Sequence, residues 1–274
     1  MRIMKKKKVI AAGILMALLL AGCGQENGKA EKNTDDMATE EDAAQAPGEK
    51  QAQENGTEPS ESPGGALGES AQDGEIDFSA LLEKNPDIFA WLYIPGTGID
   101  TPVLQSPVSD DYYKSHNVEG NDDDKGAPFT EMPNMMNMCD FNTIIHGKDL
   151  AEKEPFFNLH NFENPDFFEK NREFYIYLPD NVLTYEVLAA FYDEGSDILR
   201  RHDYTTYEGC QDYLKELTET RSMGKNMKEG WEDLTPYHFL VTLDGSLREN
   251  DTQYVVIGIL TGDAAGKIDR VIYE

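Results

Sequence analysis

The groups in this chain that could do chemistry are three thiols, five imidazoles and one run of oxygen ligands, and their spacing narrows the field. Cys23 ends an apolar stretch behind two small residues, Ala21 and Gly22, which leaves its thiol open to S-alkylation. Cys139 follows a Met-rich stretch, and Cys210 falls on the apolar face of a helical pattern. A loop thiol, a core thiol and a mutual disulfide all stay open for this pair. Asn121-Asp122-Asp123-Asp124 hints at calcium, but Lys125 and Met132 occupy positions where an EF-hand loop needs oxygen. A solvated loop is the better reading. His116, His160, His202 and His238 show no zinc-ligand spacing, and no Gly-rich phosphate loop is present. No metal and no cofactor is expected.

Charge and composition restrict the partners. Asp and Glu number 52 against 24 Lys and Arg, a formal net charge of −28 over 274 residues. Phosphate contact needs a basic surface, so this balance argues against nucleic acid. Three cysteines rule out a small disulfide-stapled scaffold. With 39% hydrophobic residues, the chain can build one real core.

The elements that must position any site divide into three segments. Met1 to Lys8 carries five positive charges and no acid, and an apolar run of 13 residues, Val9 to Ala21, follows. Spanning a bilayer takes about 20 residues, so the run has the size of a signal-peptide core. Its end, Leu20-Ala21-Gly22-Cys23, resembles the lipobox of bacterial lipoproteins. That resemblance implies a signal peptide over 1–22 and a diacylated Cys23 as the first mature residue. Two acyl chains suffice for stable anchoring, so the expected location is extracytoplasmic, lipid-anchored to the outer face of a bacterial cell membrane. From Gly24 to Glu75 there are 14 acidic and three basic residues, with no aromatic, Val or Ile. Such a segment cannot bury enough apolar surface to offset its ordering entropy. Residues 23–75 therefore read as a disordered acidic linker, extended by self-repulsion.

Residues 76–274 read as one globular domain, mainly β with helices. An opening helix is predicted over Phe78–Leu92, holding Leu81, Leu82, Ile88 and Phe89. Strands are predicted at Trp91–Ile94, Thr101–Leu104, Thr143–His146, Glu173–Leu178, Thr184–Tyr192, His238–Leu243 and Gln253–Leu260. Helices are predicted at Asn164–Asn171 and Tyr204–Arg221, the second with Tyr207, Cys210, Tyr213, Leu214 and Leu217 on one face. The absence of regular βαβ alternation suggests a barrel-like mixed β fold.

One string is specific: Asn85-Pro86-Asp87, then Trp91, then Ile94-Pro95-Gly96-Thr97-Gly98-Ile99-Asp100-Thr101-Pro102-Val103-Leu104-Gln105. It resembles the start of the class B sortase domain, which reads N-P-D, W, then I-P-G-T-x-I-D-x-P-V-x-Q. Asp111-Tyr112-Tyr113, Gly126-Ala127-Pro128-Phe129 and Phe156-Phe157-Asn158-Leu159 match later family segments in the same order, so the resemblance runs over residues 78–262. It implies a sortase-type β-barrel of about eight strands, with an N-terminal helix and a helix inserted between late strands.

Sortases are cysteine transpeptidases. A cysteine attacks a sorting-signal peptide bond, a histidine handles protons and an arginine steadies the oxyanion. Carried over residue by residue, the family's Y-G-H-N-M falls on His146-Gly147-Lys148-Asp149-Leu150, so Lys148 stands at the histidine position. T-L-S-T-C falls on Thr242-Leu243-Asp244-Gly245-Ser246, which puts Ser246 at the cysteine position. D-T-R-F-V-V falls on Asp251-Thr252-Gln253-Tyr254-Val255-Val256, which puts Gln253 at the arginine position.

The substitutions have physical consequences. A serine hydroxyl needs an adjacent base, and a lysine with a reference pKa near 10.4 is protonated at neutral pH. The acids beside the two positions, Asp149 and Asp244, favour the ammonium form, and Lys148 is expected to be tied to one of them or to a ligand carboxylate. Gln253 lacks the fixed positive charge. The favoured reading is a catalytically degenerate sortase-like binding or scaffold module, with a cell-wall peptide or surface protein as partner in the old groove. The acidic cleft suits a cationic or amine-bearing ligand. The alternative is an active acyltransferase or peptidase using a Ser246–Lys148 dyad. A third reading pairs a displaced thiol with His146, which lies two residues from Lys148 on the same strand face.

The anchor is directly testable. Cys23→Ala should move the protein out of the detergent phase when expressed in a bacterial host. A variant that still partitions with membranes would mean that another segment is the anchor.

Overall fold

The computed structural model describes residues 71, 76–149, 151–195, 197–231, 233–245 and 252–270. The signal segment, Cys23, the linker apart from Ala71, and Ser246 lie outside the described residues. The first helix, α1 (Phe78–Lys84), is capped by Asp77, whose carboxylate accepts from Ala80 N at 3.1 Å. It stops well short of Leu92. Asn85 precedes a proline, which disfavours helical geometry, and takes an extended conformation with φ −148°. Ile88–Phe89, expected on that helix, instead open strand β1 (Ile88–Ile94).

β1 turns tightly into β2 (Ile99–Leu104), and the strands β3 (Asn142–His146), β4 (Glu173–Leu178), β5 (Asn181–Asp193), β6 (Asn226–Met227), β7 (Leu240–Asp244) and β8 (Gln253–Asp263) follow. The sheet order is β2-β1-β4-β5-β8-β7-β3, with β6 paired to β5. Phe129 closes this curled sheet. Its bridge to His146 ties it to β3, and Leu104 of β2 exchanges backbone hydrogen bonds with Pro128 and Thr130. Eight strands among the described residues match the expected barrel, although β6 had no sequence signal and β5 and β8 run longer than the periodicity indicated. The predicted helices appear slightly shorter, as α2 (Pro165–Lys170) and α4 (Tyr207–Glu219). Their caps set the limits: the Asn164 carbonyl oxygen accepts from Asp166 N, and Thr206 Oγ1 from Gly209 N. A further short helix, α3 (Ile198–Arg201), precedes α4.

Strand alternation divides the core. Leu92, Ile145, Leu243 and Val256 face the barrel interior, whereas Ile144, Val255 and Ile257 face a second cluster that Cys210, Tyr213, Leu214 and Leu217 of α4 cover. Each such side chain, fully buried, stabilises by about 1.5–3 kcal/mol. A third cluster seats Leu81 of α1 beside Trp91 and Tyr113. On β8, a Cβ on Gly258 would run into the Phe174 ring of β4, so only glycine fits there.

The link from β3 to α2 is fastened by one imidazole. Phe157–Glu163 forms a 3-10 helix. Its His160 donates from Nε2 to the buried Asp149 carboxylate at 3.0 Å and faces Glu163 Oε1 with Nδ1 at 2.6 Å. The ring also stacks on Tyr254 at 4.8 Å between centroids, and Tyr192 OH donates to Glu163 at 2.7 Å. The hydrogen bond to Asp149, reinforced by Glu163, holds the imidazole pKa above its ordinary value of 6.5 although burial opposes it. A raised folded-state pKa contributes stability that is fully present below about pH 6.5 and is lost as pH rises through the folded value. His160→Gln should therefore cost roughly 1–3 kcal/mol at pH 6 and less above neutrality. Urea midpoints for both proteins from pH 5 to 9 check this. Parallel curves would show that His160 is not charged in the fold.

Candidate functional site at the barrel rim

β3 and β7 are parallel, in register His146↔Asp244, so both leave the sheet at the same rim. Gly147 N donates to Asp244 O at 3.0 Å, and Gly245 N donates to Tyr254 O at 3.0 Å, where β8 begins. Asp193, the last residue of β5, pairs with Gln253, the first of β8. Thus the ends of β3 and β7 and the start of β8 converge at one rim. Ser246 itself lies outside the described residues.

On the interior side of the rim, Asp149 presses against Gly245, where any Cβ would meet its carboxylate. On the other side, continuing the rows of Ile144, Thr242 and Val255, stand His146, Asp244 and Gln253. His146 Nδ1 lies 2.9 Å from Asp244 Oδ2, and its Nε2 lies 3.5 Å from Glu131 Oε1. Gln253 is buried, and its Nε2 donates to Asp193 Oδ2 at 3.2 Å. That carboxylate also receives Arg201 Nη2 at 2.6 Å, while Arg201 Nη1 reaches Glu216 Oε1 at 2.5 Å. The adjacent Arg200 contacts Glu131 Oε2 at 2.5 Å. Each buried carboxylate at the rim therefore faces an imidazole, an amide or a guanidinium, as desolvated anions require.

Lys148 differs from its expected arrangement. Its Nζ donates to the backbone carbonyl of Asp124, while Asp149 and Asp244 face His160 and His146. The two aspartates are drawn inward by partly buried imidazoles, and the longer lysine reaches outward to the 121–125 loop. In that loop Asp123 accepts from Lys125 N at 2.9 Å, and Asp122 lies 3.2 Å from His116.

The thiols stand apart from the rim and from each other. Cys139 and Cys210 are both free, so the mutual disulfide is not formed. Cys139 precedes β3, at the end of that strand opposite the rim. Cys210 is fully buried in the α4 cluster, where burial pushes its thiol pKa up. Sequence reasoning missed Glu131, Asp193, Arg200, Arg201 and the bridging role of His160. The one available signal was the Arg200-Arg201 pair, adjacent cations in a strongly acidic chain.

No protein-family model matches the chain. Sortase B of Listeria monocytogenes is 28% identical over 164 residues, 58% of this chain and 65% of that protein. Sortase B of Staphylococcus aureus is 28% identical over 144 residues, 53% of this chain and 57% of the relative, so the matches span about three-fifths of both proteins' own length. The structure of the S. aureus sortase B–substrate complex shares the fold, with a TM-score of 0.59 at 22% identity over 67% of this chain and 84% of that one. A Streptococcus pyogenes class B sortase involved in pilus biogenesis superposes with a TM-score of 0.58 at 25% identity, over 68% of this chain and 98% of that one. By the order of its motifs, these relatives and its curled sheet, the described domain is class B sortase-like.

Proposed function

We propose that this chain is a surface module that keeps the sortase groove for binding but has lost cysteine transpeptidation. The observation that carries this reading is the rim's chemistry: neither described thiol stands where β3 and β7 end and β8 begins. Transpeptidation needs a nucleophile, a proton carrier and a donor for the oxyanion. At the position matching the family's arginine, a neutral amide is engaged with Asp193. Loss of one such donor costs about 10²–10³ in rate. The Lys148 ammonium, bound to the Asp124 carbonyl, favours this reading over a Ser246–Lys148 dyad. Because substrate-bound sortase B shares the fold, the proposed ligand is a cell-wall peptide or a surface-protein segment. No described helix is long and apolar enough to cross a membrane, and the proposed anchor is lipid on Cys23, with the acidic linker as tether.

Purified protein should neither cleave nor transfer a sorting-signal peptide, and thiol-blocking reagents should change nothing. Thiol-sensitive turnover would overturn the reading. A serine-directed probe that labels wild type but not Ser246→Ala would establish the dyad instead. Wall peptides titrated at millimolar concentration should shift rim resonances, and a Ser246→Trp plug should abolish those shifts.

A further inference from the structure

Arg200 and Arg201 are neighbours on a four-residue helix, yet their surroundings give them different roles. The Arg201 side chain is 17% exposed, with its two guanidinium nitrogens on Asp193 and Glu216. It neutralises the buried Asp193 and the partly exposed Glu216 and belongs to the fold. The Arg200 side chain is 49% exposed and reaches three carboxylates from three segments: Glu131 at 2.5 Å, Asp197 at 3.0 Å and Asp110 at 3.6 Å. Ile198, on the same helix, is buried in the α4 cluster, so the Arg200 side chain can swing out while its helix stays seated.

Under Arg200 the network continues inward. Glu131 is 17% exposed and turns its second oxygen to His146, which in turn faces Asp244. The Asp244 side chain is 4% exposed, and its Oδ1 makes no hydrogen bond among the described residues. A buried carboxylate oxygen without a donor is costly. Four carboxylates, Asp110, Glu131, Asp197 and Asp244, are thus gathered around one guanidinium and one imidazole. The surplus is negative, and the innermost anion is incompletely satisfied. Asp197 caps α3, its Oδ1 accepting from Arg200 N at 3.2 Å.

We propose that this acidic mouth is a receptor for a guanidinium or ammonium group on a basic peptide, and that Arg200 is its internal occupant, displaced when such a ligand arrives. The proposal deepens the groove reading and rests on it for the surrounding peptide. An internal occupant lowers apparent affinity by the fraction of time the mouth is closed, so a mouth nine-tenths closed binds about tenfold more weakly than an open one. The ligand's charge is essential, because a neutral isostere that displaced Arg200 would leave Glu131, Asp197 and Asp110 without their guanidinium. Binding falls with salt in proportion to how far the mouth is solvated.

The test is an NMR titration of the full chain with acetyl-Gly-Arg-Gly-amide and its citrulline counterpart. It follows the His146 ring signals, assigned with His146→Gln, and the Arg200 Nε–H signal. The arginine peptide should shift His146 and release Arg200 towards a free guanidinium signal, and the citrulline peptide should do neither. Arg200→Ala, which takes the half-exposed guanidinium off Glu131, Asp197 and Asp110, should tighten the arginine peptide roughly tenfold, and Arg200→Lys should stay near wild type. Glu131→Gln should weaken it about tenfold. Equal binding of the citrulline peptide, unchanged affinity in Arg200→Ala, or an Arg200 signal that stays restrained at saturation would overturn the proposal. If wall peptides fail to bind while the arginine peptide still moves His146, the groove reading alone fails. If wall peptides bind and the arginine peptide leaves His146 unmoved, this proposal alone fails.

Discussion

The parallel pairing of β3 with β7 is the constraint on which the rest of the site depends. Every other pairing between the named strands is antiparallel among the described residues. An antiparallel pair would send the two strands out at opposite ends, with Lys148 and position 246 separated by the length of the strands. Parallel register aligns His146 with Asp244, and Gly147 and Gly245 leave the sheet at the same rim. The long connection that a parallel pair needs runs from β3 through α2, β4, β5 and α4 before it returns to β7. It brings with it the helix that covers the outer core cluster and the arginines that reach the rim.

A second constraint is the disposal of negative charge. A chain with a large excess of carboxylates cannot avoid placing some of them at a buried rim, and an unpaired buried anion is expensive. The three most enclosed at this rim, Asp149, Asp193 and Asp244, meet His160, Arg201 with Gln253, and His146 respectively. These partners come from the 3-10 helix, α3, β8 and β3, so charge pairing also fastens the loops around the groove. The same economy explains why the acids beside Lys148 are not its partners: inward imidazoles reach them first, in surroundings where each contact is worth more than at the surface.

The thiols illustrate how packing separates reactivity from residue type. Cys210 has the spacing of a core residue and is one, with its sulfur 3.2 Å from the Tyr204 carbonyl and its ionisation suppressed by burial. Cys139 is held beside the backbone carbonyls of Asn137 and Lys267. Arg270 Nη1 lies 3.9 Å from the Cys210 sulfur, but burial outweighs that cation and the thiol pKa stays raised.

Local signals determined much of this protein. The apolar periodicity of Tyr207–Leu217, the strand at Glu173–Leu178 and the proline-bearing start of α2 were readable because they depend on neighbours three or four residues away. The ordered motifs from Asn85 to Val256 indicated the barrel and which positions would meet at its rim. The end of α1 was also a local matter, written in Asn85-Pro86, but the apolar spacing of Ile88 and Phe89 fits a helix as well as a strand, and pairing with β2 and β4 settled it. Tertiary structure alone decided how the charges pair. Glu131 and Arg200 are 69 residues apart, and His146 and Asp244 are 98 apart. An ionic contact carries no periodicity and is selected by which strand ends the topology brings within a few ångströms. The direction of the Lys148 side chain, the bridging of His160 and the occupation of the acidic mouth by Arg200 all follow from that closure, for which no local pattern exists.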